Sequence, residues 1–374
     1  MKKQLKLTSL LMSLFFLFLV SCEDDNDIDE TLPTEEAKDE LRDADQNLSN
    51  EMSNMMASDA FTSMEFLMGL TESDPYNMEA LKDLTLQATP EKFFKEPLFI
   101  SSEPITTKVD EKQIDPTEDT GIYYFSFVEY TFILEDGEVD YLELNFPANE
   151  TAFENEENNA ALRIDDLEVD VFDNEEVLTF IVLSLSIDNE TVLTLNYDVQ
   201  FTQINDEPMP TSGTIDLDLP PYNFLMTFTA SETDASISMS WTTEDKTLTS
   251  ADLHLEGNLY EDETPEKVEG NIIPNPIKYE GDAYPLAIEE HLESVDAGEE
   301  ELDIDYLNDR LNIDVIHTER NKKLGHLEFY AAYDNAEPEL YVIIVFEDEE
   351  WNYLEDIMPA LAAMFDDMEG GADF

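Results

Sequence analysis

The sequence predicts an α+β protein. A long-stranded antiparallel β-meander is expected between an N-terminal amphipathic helical segment and a C-terminal α+β portion ending in a helix. Three observations carry this expectation. Between Thr34 and Leu70 apolar residues recur at steps of three and four, the period of a helix with one dry stripe. From about Leu98 the period becomes two and stays so to Leu259. With 42% hydrophobic and 10% aromatic residues among 374, the chain has enough apolar material for a core despite its charge.

The helical segment is assigned to residues 34–96. Its stripe reads Ala37, Leu41, Ala44, Leu48, Met52 and Met55, then Phe61, Met64 and Met68, with a break near Ser58-Asp59. Thr34 before Glu35 and Glu36 is a capped start, with acids at the positive end of the helix dipole. A second short helix is expected from Tyr76 to Leu86. The dense methionines of this segment read as flexible core filler against the sheet.

The sheet region is assigned to residues 97–270. Tyr123–Leu134 and Val139–Phe146 read as a hairpin about Asp136-Gly137. Val177–Ile187 is apolar on one parity, Asp188-Asn189-Glu190 turns the chain, and Leu193–Phe201 alternates with polar residues. Alternation continues through Ile215–Phe228, Ile237–Trp241 and Leu253–Leu259, so one face should be dry and the other wet. Gly270–Pro276 is the candidate boundary, which leaves residues 271–374 as the C-terminal α+β region. There Pro285–Val295 reads helical and Ile313–Thr318, Leu324–Tyr333 and Leu340–Phe346 read as strands. Trp351, Leu354, Met358, Leu361, Phe365 and Met368 form the apolar stripe of a closing helix. Trp241 and Trp351 both fall on apolar stripes and are expected in the core.

Charge bounds the partners. With 90 Asp+Glu against 18 Lys+Arg, the net charge of −72 repels phosphate backbones and anionic membrane surfaces. The single Cys excludes internal disulfides and a four-Cys metal cage.

Residues 1–21 read as an export signal. Lys2, Lys3 and Lys6 precede an apolar run from Leu7 to Val20. Those residues rise about 21 Å as a helix, short of the ~30 Å hydrocarbon core. The run ends in Leu19-Val20-Ser21-Cys22, which resembles a bacterial lipobox. The resemblance implies diacylglycerol and N-acyl modification (palmitate among the chains) at Cys22, with cleavage between Ser21 and Cys22. It would also explain the lone thiol. Removal of the leader takes three lysines and no acid, so the charge moves from −72 to −75. Residues 22–33 form an acidic tether, and Glu23, Asp24 and Asp25 directly behind the lipidated Cys resemble the export signal of Bacteroidota-type surface lipoproteins. The address implied is the outer membrane, on the cell surface or otherwise on its periplasmic face. Asp25, Asp27, Asp29 and Glu36 are spaced as in a calcium loop, but Glu30 stands where that loop needs Gly, so no EF-hand is assigned.

Catalytic motifs are missing from the sequence: it has no G-x-G-x-x-G, no P-loop, no G-x-S-x-G and no H-E-x-x-H. One metal constellation stands out. A tight turn at Asn321-Lys322 would set His317 opposite His326, with Glu319 and Glu328 diagonal on the same face, a possible Zn²⁺ ligand set. The competing reading is a solvated polar hairpin face. Asp165, Asp166, Asp170, Asp173 and Asn174, and Asp303, Asp305, Asn308 and Asp309, are oxygen-rich clusters of the kind that suits Ca²⁺.

The expected function is therefore a lipid-anchored binding or scaffolding lipoprotein, non-enzymatic, with a protein or glycan partner and no nucleic acid. The alternatives are a surface metal-dependent hydrolase acting on a polymer and an apolar-ligand or lipoprotein carrier, the latter resembling the Lol-type carriers in sheet pattern only. Self-repulsion among so many carboxylates is relieved by screening, so the melting temperature of the mature protein should rise with added salt. A calorimetric scan series in sodium chloride checks this, and a flat or falling response means the charge is paired.

Overall fold

The computed structural model describes residues 30–72, 119–172, 175–204, 207–259, 264–334 and 337–359. Ser21, Cys22, Glu23, Asp24 and Asp25 lie outside them, as do the helix expected at Tyr76–Leu86 and the end of the closing helix. Among the described residues sixteen strands form one sheet whose order follows the sequence except at one end, where the first two strands lie beyond the third, so nearly every strand pairs with its neighbour in sequence. Among the described residues no helix is long and apolar enough to cross a membrane. The chain divides into two compact units, one of residues 1–51, 228–241 and 246–374 and one of residues 52–227 and 242–245.

The second unit begins in helix α1 (Thr34–Met56) and continues through α2 (Asp59–Glu72). The break between them falls at Ala57-Ser58, where the Phe61 amide donates to Ser58 Oγ at the new helix start. Strands β1 (Gly121–Ser126) and β2 (Thr131–Asp136) form a hairpin. Tyr130 takes a left-handed φ of 56° in the turn, so the run expected as one strand from Tyr123 to Leu134 is two. β3 (Leu142–Phe146) then pairs parallel with β1, not with β2, so Asp136-Gly137 is no hairpin turn. Phe125 and Phe127 pack with Phe153 of the short helix α3 (Glu150–Glu154), Phe132 packs on Phe125, and Phe66 of α2 adds its edge to Phe153 at 6.1 Å.

The long strands follow: β4 (Ala160–Phe172), β5 (Glu175–Ile187), β6 (Glu190–Ile204), β7 (Glu207–Leu219) and β8 (Tyr222–Ala230). Asp188 and Asn189 turn β5 into β6 with φ of 52° and 67°, the two positive angles that a right-twisted two-residue hairpin requires.

In the first unit the meander runs through β9 (Asp234–Thr243), β10 (Thr247–Glu256), β11 (Lys267–Pro274), β12 (Ile277–Ala283), β13 (Leu311–His317), β14 (Lys322–Asp334), β15 (Glu337–Val345) and β16 (Trp351–Tyr353). Gly270–Pro276, expected as a break, is most of β11 and its following turn. Gly270 faces Gly281 across β11 and β12. At Gly281 the β13 backbone comes so close that a Cβ would sit 1.4 Å from the Asn312 carbonyl oxygen, so only glycine fits.

Strand register sorts this unit into two faces. Tyr279, Val315, Ile313 and Ile277 share the dry face, while Glu280, Asp314 and His326 share the wet one. Among the described residues, three helices besides α1 belong to this unit: α4 (Pro285–Asp296), α5 (Ile304–Asn308) and the single turn α6 (Leu354–Ile357). α4 opens on Pro285 at its first turn, where the missing N–H costs nothing. The start of α1 lies over the dry face: Ala37 and Leu41 are fully buried, and Lys38 stands 5.3 Å from the centre of the Phe346 ring.

Tyr279 is 1% exposed, and its hydroxyl contacts Met358 Sδ. Burial, with a smaller contribution from Asp45, holds the phenol well above its ordinary 10.0. Folding therefore keeps Tyr279 neutral, while the unfolded chain ionises it near pH 10. Stability from this group is complete below that pH and is lost as pH rises past it. Melting temperature should fall above about pH 10, and Tyr279→Phe should flatten the fall relative to wild type.

Candidate functional site

The first unit offers three arrangements with chemistry in them, and the register decides what each can do. The turn after β13 spans residues 318–321, Asn321 supplies a left-handed φ of 50°, and His317 pairs with Lys322. Asp314, not His317, stands opposite His326. The imidazoles of His317 and His326 thus lie on opposite faces, and Glu319 sits exposed in the turn. The four residues expected as a zinc set do not converge, because the turn is longer than two residues and moves the register.

His317 instead serves the attachment of α1. It is 3% exposed, its Nε2 stands 3.2 Å from Glu40 Oε2, and its Nδ1 has no hydrogen-bond partner. Against a carboxylate, which can only accept, Nε2 is the donor of this hydrogen bond. Arg320 donates to Glu36 and pairs with Glu40, and Lys322 meets Glu30 at 3.0 Å. Lys38 reaches Glu350 at 2.9 Å, and that hydrogen bond raises the pKa of its ammonium most. The basic island at Arg320, Lys322 and Lys323 therefore fastens the acidic start of the helix.

Several members of the oxygen-rich clusters are engaged within the fold. Asp303 Oδ1 accepts from the Tyr306 amide as the cap of α5, and Asn308 bonds both backbone groups of Phe329. Asp165 accepts from Arg163 at 2.7 Å, Asp166 and Asp170 lie on β4, and Asp173 and Asn174 lie outside the described residues. Asp305 and Asp309 sit in and just after α5.

The second arrangement is an aromatic platform on the wet face of the last three strands. Tyr330 follows His326 and Glu328 on the same parity of β14 and pairs with Tyr341 of β15. Trp351 lies 4.7 Å from Tyr330 between ring centres, and Tyr353 lies 4.8 Å from Tyr341 and 5.3 Å from Trp351. Trp351, expected in the core of a closing helix, is on strand β16 and 40% exposed. That helix is a single described turn. Leu354 and Met358 of its expected stripe are buried, Leu361, Phe365 and Met368 lie outside the described residues, and Trp351 departs from the stripe because Trp351-Asn352-Tyr353 completes a ladder with β15 that periodicity alone could not reveal. Beside the platform, His326 Nε2 stands 2.9 Å from Glu328 Oε1.

The third arrangement is at the other side of the same unit. His254 and Glu256 are two apart on β10, and Glu269 of β11 is directly opposite His254. Among the described residues, these three side chains bring ligand atoms within 4.8 Å of one another. Alternation put His254 and Glu256 on one face in the sequence, but Glu269 could be added only by a register set across a long loop.

No protein-family model, curated protein or solved structure matches this chain.

The His317 network yields a stability test. Glu40→Leu leaves the Nε2–H buried without an acceptor and should cost about 1–3 kcal/mol by urea denaturation. Glu319→Ala, in the exposed turn, should stay within about 0.5 kcal/mol of wild type.

Proposed function

We propose that this protein is a lipid-anchored binding lipoprotein of the outer membrane, held by acyl chains on Cys22 and carried to the cell surface by the acidic residues behind it. Its part is to bind or scaffold rather than to catalyse. The ligand is a neutral saccharide, taken on the aromatic platform of β14 to β16. The single observation behind this reading is Trp351, an indole 40% exposed in a cluster with three tyrosines.

Rings in water are an unfavourable arrangement until something covers them, and an exposed apolar cluster rimmed by polar groups marks a contact surface. The C–H face of a sugar ring is apolar and planar enough to stack on indole and phenol, while its hydroxyls hydrogen-bond to the rim. His326 and Glu328, on the same parity of β14 as Tyr330, provide that rim. The net charge of −72 disfavours polyanions at the same place, which narrows the class to uncharged glycans.

Two observations weigh against the alternatives. The hydrolase reading rested on His317 and His326 acting together, and these face apart. The carrier reading required the N-terminal helices to line an open apolar cleft, whereas Ala37, Leu41, Ala44 and Leu48 are all buried.

Trp241 is 1% exposed, so Trp351 is the tryptophan that a solute can reach. Titration with neutral oligosaccharides should shift the tryptophan emission to shorter wavelength, and Trp351→Ala should lose both the shift and retention on the glycan resin. Emission indifferent to every neutral oligosaccharide, with retention unchanged in the variant, would remove the saccharide reading. The anchor is tested separately: Cys22→Ser should abolish palmitate labelling and membrane association, and continued labelling would refute the lipidation.

A further inference from the structure

We infer that His254, Glu256 and Glu269, with Asp234 beside the imidazole, form a binding site for a first-row divalent cation of the zinc class. This site lies on β9 to β11 and is independent of the saccharide reading.

The pleat builds it. On β10, His254 and Glu256 project from the same face because they are two residues apart, and β11 places Glu269 opposite His254 and Lys267 opposite Glu256. Three side chains of two types are thus delivered to one spot by backbone pairing, without a dedicated loop. His254 Nε2 is the centre of the group: Glu256 Oε1 is 3.6 Å away and Asp234 Oδ1 is 3.8 Å away. Ligand atoms held about 2.1 Å from a tetrahedral ion are about 3.4 Å from each other, so the His254–Glu256 separation needs only a small contraction.

The outer contacts orient the ligands in the sense that metal binding needs. Ser236 Oγ lies 3.4 Å from His254 Nδ1 and can accept its proton, which leaves the lone pair on Nε2, facing the carboxylates. Thr233 Oγ1 donates to Asp234 Oδ2 at 2.7 Å and leaves Oδ1 turned toward the imidazole. The Gly257 amide donates to the Thr233 carbonyl at 3.1 Å, which ties the start of β9 to the end of β10.

Chemistry then selects the ion. Carboxylates alone would suit Ca²⁺ or Mg²⁺, but an imidazole at the focus favours a borderline cation with mixed nitrogen and oxygen ligands. This separates the site from the many acidic clusters of a chain with 90 Asp and Glu. One group opposes binding: the Lys267 ammonium is bonded to Glu269 Oε2, and that bond is the largest cause of its raised pKa. The metal therefore competes with an internal cation for Glu269.

The test is zinc titration of the purified mature protein by calorimetry, in a large excess of Ca²⁺ so that ordinary carboxylate pairs are already filled. One zinc should bind per chain. His254→Ala should weaken it at least about tenfold, and Ser236→Ala should weaken it less, because the Ser236 hydroxyl touches the imidazole and not the ion. Lys267→Met should tighten it, because the competing ammonium is gone. His326→Ala, remote in register, should leave it unchanged. Binding that disappears in Ca²⁺, or that His254→Ala leaves intact while circular dichroism shows the variant folded, would overturn the assignment. Tighter binding in Lys267→Met cannot come from a damaged fold, so that arm tests the site even if His254→Ala proves unstable.

Discussion

Helix α1 must lie on the dry face of the first unit's sheet, and its first turns are crowded with acids in a chain that has only 18 cations. An apolar stripe alone would seat the helix; it would not fix its rotation or height. Lys38, Arg320, Lys322 and the His317 imidazole fix them, each reaching an acidic partner across a long sequence separation. Lys38 is the most enclosed of the three cations, its side chain 11% exposed, so its pairing with Glu350 is least screened by solvent. Residue 30 to residue 32 add backbone pairing to Lys323, so the clamp continues into main-chain hydrogen bonds. Three of the chain's 18 Lys and Arg residues, Lys38, Arg320 and Lys322, thus hold helix to sheet.

Once one face is covered, the pleat sends every other residue to the opposite face. Charged pairs cover it: Lys267 with Glu269, Lys278 with Glu280, Lys323 with Asp314 and His326 with Glu328. Surface pairs of this kind contribute little stability each, and their effect is to keep a broad sheet face wet. Against that polar background the two departures are informative. The imidazole-carboxylate group on β10 and β11 concentrates ligands without a buried role for them. The aromatic platform on β14 to β16 exposes rings that a purely structural surface would have replaced with polar residues.

Much of this was legible in the sequence. The helix stripe from Ala37 to Met55 and the Asp188-Asn189 turn are local signals, and local physics decides them. Trp241 in the core followed from parity. What failed depended on pairing between strands. The parallel β1–β3 contact, the four-residue turn after His317 and the Trp351 ladder each require a partner strand, and alternation says nothing about which partner or register is chosen. A one-residue shift moves a side chain to the other face, so candidate sites built on an assumed register are the first to be lost. The His254 group was invisible for the same reason: half of it is across the β10–β11 loop.

The central claim is that ligand contact belongs to the wet face of this sheet and never to the face under α1. Photo-crosslinking of the anchored protein on intact cells tests it most directly, with a benzophenone side chain introduced in place of Tyr353 on the platform or of Phe346 beneath the helix. The account predicts a ligand adduct from position 353 and only intramolecular products from position 346. Adducts from position 346 alone would place the ligand under the helix and contradict it.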